Sequence, residues 1–120
     1  MNVYTATYDD WVTGNDPVNT TSTILAANQG VIPSKTPIGQ VTATGEFKVV
    51  DLAANDGSQV ATRITAYDVD TTAAAQECQA YKVGTFNPEL VSWPASFDTA
   101  AKKAVAFTGT PISLQTPRQY

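Results

Sequence analysis

No histidine occurs among the 120 residues of this chain, and there is a single cysteine, Cys78. Without an imidazole, most zinc sites and most general-base schemes are excluded. One thiol cannot form an intrachain disulfide. As a nucleophile it would need a histidine or an electropositive pocket to favour the thiolate, so Cys78 reads as a small core residue. Charge is also sparse, at 15% of the chain with a net of −4. The seven basic residues are scattered and only Lys102 and Lys103 are adjacent. A phosphate-binding surface needs clustered cations, so nucleic acid is not an expected partner. No apolar run approaches the ~20 residues of a spanning helix, so no membrane partner is expected. Met1-Asn2-Val3-Tyr4 has neither the positive stretch nor the apolar core of an export signal, and synthesis in a reducing cytoplasm is the expectation.

Carboxylates are few. Asp9-Asp10 and Asp68-Val69-Asp70 are the only tight groupings. A calcium loop needs more oxygen ligands at fixed spacing and a late glutamate, so these read as solvated turn aspartates. Paired carboxylates of the glycosidase kind could meet from distant positions, but most acids here lie in turn contexts. The reading is a non-enzyme without catalytic residues, metal or cofactor.

What remains is a β-patterned domain. A chain of this length is one domain by size. Residues 1–37 carry only Asp9, Asp10, Asp16 and Lys35 as charged side chains, and Pro17, Pro33 and Pro37 interrupt regular structure. They read as an extended N-terminal arm. Within it Val3-Tyr4-Thr5-Ala6-Thr7-Tyr8 is β-branched and aromatic enough for a short strand, with Tyr4 and Tyr8 on one face. Trp11 follows.

The compact domain is expected over residues 38–114. Two strands, 38–43 and 46–51, flank a turn at Thr44-Gly45, and Asn55-Asp56-Gly57 marks another turn. A third strand spans 60–69, with Val60, Thr62, Ile64 and Ala66 on one face, and a fourth spans 77–83. Gly84 reads as a bend that leads to Phe86. Trp93 is expected as a core anchor and Pro94 as a strand stop. Residues 96–107 pattern as a helix capped by Ser96 or Asp98 and ended by Gly109, with Phe97, Ala101, Ala104 and Val105 as its apolar stripe. Residues 112–114 form a last strand, and 115–120 a C-terminal extension. The fold class is thus α+β, mainly β: short antiparallel sheets, long loops, one short C-terminal helix, and the arm.

Taken in order, Tyr81-Lys82-Val83-Gly84-Thr85-Phe86, Val91-Ser92-Trp93-Pro94 and Phe107-Thr108-Gly109-Thr110 resemble the small head decoration proteins of tailed bacteriophages, of the lambda type. The resemblance runs from Gly14-Asn15-Asp16-Pro17 to Ile112-Ser113-Leu114 and is strongest from Tyr81 through Ser113. The chain departs from the pattern in Pro88, in the low charge of its arm, and in the extension past Leu114. The resemblance implies a cement protein made in the host cytoplasm and carried on the outer surface of the virion. It implies a homotrimer standing at three-fold and quasi-three-fold positions of the expanded capsid, with the major capsid protein as partner. It further implies that the arm adds a strand to that protein, a role that maps here onto Val3, Tyr4, Thr5, Ala6, Thr7, Tyr8 and Trp11. The unpaired strand pattern of Val3 to Tyr8 suits such β-augmentation independently. Gly84, Phe86, Trp93, Pro94 and Gly109 would be structural anchors. The rival reading is a β-rich carbohydrate-binding or adhesin-like module, which would present exposed aromatics such as Trp11, Trp93 and the tyrosines.

Overall fold

The computed structural model describes residues 11–14 and 17–116. In chain order the elements are β1 (Asn19–Leu25), β2 (Val31–Ile32), β3 (Pro37–Gln40), β4 (Phe47–Val49), β5 (Arg63–Thr65), β6 (Val69–Asp70), β7 (Gln76–Phe86), a 3₁₀ turn (Pro88–Leu90), α1 (Ala100–Ala104) and β8 (Ile112–Leu114). Strands β1, β4, β3, β5 and β7 are neighbours in that order, and β1 also pairs with β7, which closes a five-stranded barrel. All its pairings are antiparallel except the single parallel bridge Leu25–Phe47 between β1 and β4. A separate ribbon joins β2 to β6.

The eleven-residue β7 organises the fold. Its first part pairs with β1 from Leu25↔Gln76 to Asn19↔Val83, with a register shift that leaves Lys82 as the extra residue. Its last three residues, Gly84 to Phe86, leave the barrel and pair in parallel with β8. Gly84 makes that departure possible: its φ is +146°, and a Cβ there would lie 2.6 Å from the Phe86 ring. The side chain after the bend therefore folds back over the glycine and is fully buried.

Two apolar clusters fill the molecule. Leu25, Ile32, Ile38, Phe47, Val69, Cys78 and Ala80 form one. The other gathers Trp11, Val50, Ala61, Ile64, Phe86, Val91, Phe97, Phe107 and Ile112, with Tyr81, Trp93, Ala106 and Leu114 packed against it.

Several expectations change. The boundary at residue 37 is too late, because β1, β2 and the start of β3 lie upstream of it and belong to the packed sheets. In Asn19-Thr-Thr-Ser-Thr-Ile-Leu25 the inward period-two positions are taken by threonine: Thr23 and Leu25 are buried and Ser22 and Ile24 exposed. A half-buried strand built on threonine carries no large-apolar signal. The strand expected over 60–69 shrinks to Arg63–Thr65, with Val60 at 51% exposure and Ala61 buried instead. The cause is the turn before it: residues 57–60 press onto β3 at Gly39, where a Cβ would sit 2.4 Å from the carbonyl oxygens of Ser58 and Val60. A glycine inside a strand pattern often marks such a close approach.

The helix is five residues long, not twelve. Thr99 caps it, its hydroxyl accepting from Lys102 N at 3.2 Å, in place of Ser96 or Asp98. Upstream, Phe97 N donates to the Pro94 carbonyl in a turn; downstream, Ala106, Thr108 and Thr110 each donate to a carbonyl three residues back. These i−3 bonds unwind the helix into successive turns. Its expected stripe is exposed at Ala101, Ala104 and Val105, while Phe97 and Phe107, outside the helix at either end, supply the burial.

Candidate functional site

Among the proposed site residues, Val3, Tyr4, Thr5, Ala6, Thr7 and Tyr8 lie outside the described residues. Trp11 is described, and it is no surface contact. It is 3% exposed, stacked on Phe86 with ring centroids 4.7 Å apart, tilted against Tyr81 at 5.9 Å, and covered by the Lys35 ammonium 5.6 Å from its ring. The backbone explains why. Asn87 N donates to the Trp11 carbonyl at 2.7 Å and Thr13 N to the Thr85 carbonyl at 3.0 Å. These bonds flank an antiparallel bridge between Val12 and Phe86. Trp11–Thr13 thus act as a short extra strand along the end of β7, on the side opposite β8, with Trp11 buried and Val12 exposed. The Thr13 hydroxyl ties the segment to the far side of the same strand pair, donating to the Gln115 carbonyl at 2.7 Å.

The residues expected as structural anchors take different positions. Phe86 is fully buried between Trp11 and Tyr81, 5.0 Å from the latter ring. Trp93 is half-buried and not a full core residue: its indole N–H donates to the Pro88 carbonyl at 2.9 Å, its ring meets Phe97 at 5.0 Å, and Lys103 lies 6.0 Å over it. The segment before it is the 3₁₀ turn and not an apolar strand, so Leu90 points to solvent at 41% exposure and Val91 takes the core position. Gly109, at φ +87°, turns the chain from the helical turns toward β8.

The polar chemistry is directed inward. Asp68 accepts from Ser34 N and Asp70 from Thr72 N, so each carboxylate of the Asp68-Val69-Asp70 pair organises a backbone turn. Ser58 donates to Asp56 through both its backbone N–H and its hydroxyl, and these bonds, with Lys48 nearby, hold the Asp56 carboxyl below the usual range. Burial and the adjacent Glu77 push the Cys78 thiol up, the opposite of what a nucleophile requires. No group of three His, Cys, Asp or Glu side chains among the described residues is arranged to hold a metal ion.

A groove of about 260 Å³ beside Trp93 is lined by Val31, Ile32, Pro33, Val49 and Pro94, with Gln29, Thr36 and Ser92 as its polar members. All three of those are committed internally. The Gln29 amide bonds Ala26, Phe47 and Val49, the Thr36 hydroxyl donates to Pro33, and the Ser92 hydroxyl to Ser34. The groove offers an apolar wall without free hydrogen-bonding side chains.

Sequence comparisons supply the family. The family model described as bacteriophage lambda head decoration protein D matches residues 6–113. The chain belongs to that family. A head decoration protein of Enterobacteria phage P21 is 36% identical over 100 residues, which cover 83% of this chain and 81% of that one. A head decoration protein is a structural component of the phage head, located on the capsid surface, and not an enzyme. The seat at Trp11 and the threonine strand β1 both fall within the matched span. Trp11 could have been placed from sequence only by treating Trp11-Val12-Thr13 as a strand in its own right.

Proposed function

We propose that this decoration protein acts as a trimeric cement. Three copies stand on a three-fold or quasi-three-fold position of the expanded head, and each N-terminal segment adds a strand to the major capsid protein. Membership of the decoration family carries the reading; the strand pattern of Val3 to Tyr8 supports the mode of attachment. Trp11 drops out of the contact set, leaving Tyr4 and Tyr8 as its large side chains.

The magnitudes favour a trimer. Ordering ten residues costs on the order of 10–20 kcal/mol of backbone entropy. Two buried tyrosines return about 1.5–3 kcal/mol each, and each ladder hydrogen bond about 0.5–1.5 kcal/mol. One segment binds marginally. Three segments on one rigid body act at high effective concentration and hold firmly.

The carbohydrate-binding reading loses its platform, since Trp11 is buried and the polar groups of the Trp93 groove are already bonded. The test is to mix the purified protein, and a variant lacking residues 1–10, with undecorated expanded capsids. The parent should add regular three-lobed protrusions. The truncated protein should keep its melting temperature within a few degrees and bind orders of magnitude more weakly. Parent protein that leaves such capsids bare, or binds as single copies at saturation, would refute the proposal.

A further inference from the structure

We propose that Trp11–Gly14 is a positioning anchor: it fixes the point and direction at which the N-terminal segment leaves the barrel, and capsid attachment depends on that fixed exit. The inference rests on the capsid-binding reading above and adds to it a property of the described residues.

A loose tether would need no seat, yet four consecutive residues here are held by independent means. Trp11 is stacked on Phe86 and tilted against Tyr81, under Lys35. Val12 is bridged to Phe86, and the carbonyl of Trp11 and the N–H of Thr13 are bonded to β7 on either side of that bridge. The Thr13 hydroxyl reaches across to Gln115. Gly14 packs so closely that a Cβ would lie 2.7 Å from Thr85 Cβ. Because Val12 runs antiparallel to β7, the N-terminal end of the seat lies beside Asn87, just past the last residue of the longest described strand. The exit vector is therefore locked to β7 and through it to β1, β5 and β8. A strand that must register against another protein gains when its root is already aimed, because less orientational freedom is lost on binding. In this role Trp11 acts through the segment it holds and touches no capsid protein.

Inserting Gly-Ser-Gly-Ser between Asp10 and Trp11 tests this without altering any residue of the seat. A control chain carries the same insertion between Asn2 and Val3. The tether between the strand segment Val3–Tyr8 and the seat is Asp9–Asp10; lengthening it from two to six residues lowers effective concentration with the 3/2 power of length, about 5-fold per segment and about 140-fold for three. If the anchor aims the segment, the Asp10/Trp11 insertion should lower capsid affinity by more than about a thousandfold while melting is unchanged, and the Asn2/Val3 insertion should bind like the parent. Trp11→Phe, which keeps a ring on Phe86, should also bind like the parent. A loss below about a thousandfold for the Asp10/Trp11 insertion, within reach of the longer tether alone, overturns the anchor and leaves the cement reading standing. Parent protein that fails to bind overturns both.

Discussion

Replacing Gly39 by alanine would place a methyl group 2.4 Å from two backbone carbonyl oxygens, those of Ser58 and Val60. Neither can rotate away. The turn that carries them is fastened to β3 on both sides, by Thr42 N donating to the Asp56 carbonyl at 2.9 Å and Thr62 N to that of Ile38 at 3.0 Å. It is braced internally by the bonds from Ser58 to Asp56. Overpacking of this kind costs about 1–3 kcal/mol, and loosening one or two of these hydrogen bonds adds about 0.5–1.5 kcal/mol each. The total is about 1.5–6 kcal/mol, which for a chain of this size is a fall of about 6–24 °C in melting temperature. Gly30→Ala is the matched control. Its φ is +70° and no atom lies within 4 Å of the added Cβ, so it carries only left-handed strain, about 1 kcal/mol. Thermal and urea melts of both variants decide the matter. Gly39→Ala melting within 2 °C of the parent, or no lower than Gly30→Ala, would show that the turn yields and that the close approach does not shape this barrel.

Trp93→Ala should destabilise by about 2–3 kcal/mol in urea melts, less than a fully buried tryptophan, because the ring is half-exposed and its loss mainly frees Phe97 and the Pro88 carbonyl. Asp56, held low by Ser58, stabilises the fold above its unfolded-state pKa and ceases to do so as pH falls through its lower folded value. Melting temperature should therefore hold from neutrality to about pH 5 and drop below it. Asp56→Asn, which cannot ionise, should melt lower at pH 7 and flatten part of that drop; an unchanged acid profile would count against the assignment.

The parts of the fold carried by large apolar residues were readable. Ile38, Phe47 and Ile64 announced β3, β4 and β5, and Ile112 to Leu114 matched β8 in full. The bend at Gly84 followed from glycine between strand formers. What escaped reading were elements whose inward positions are small or polar. Thr23 is as well buried as the neighbouring Leu25, but threonine in a run of Thr, Ser and Asn resembles a linker. Trp11 reads with Val3 to Tyr8 as part of the arm; its backbone bonds to β7, a contact across most of the chain, hold it in the core instead. The helix failed for the opposite reason. Alanine propensity extended it through Phe107, whereas the i−3 bonds and the burial of Phe107 were settled by tertiary packing. Trp11 to Gly14, the root of the N-terminal segment, gave no signal of its own, and Val3 to Tyr8 lie outside the described residues.

The pairing of β1 with β7 has a consequence for synthesis. Leu25 must wait for Gln76, 51 residues later, which at about 5–20 residues per second is roughly 3–10 s on the ribosome. During that interval a conventional strand of valine and isoleucine would be an open edge, ready to join any neighbouring nascent chain. Asn19-Thr-Thr-Ser-Thr is too polar to associate in this way, yet it retains the β-branched backbone preference needed once its partner emerges. The threonines that hid this strand in the sequence also make it safe to leave unpaired until the barrel closes.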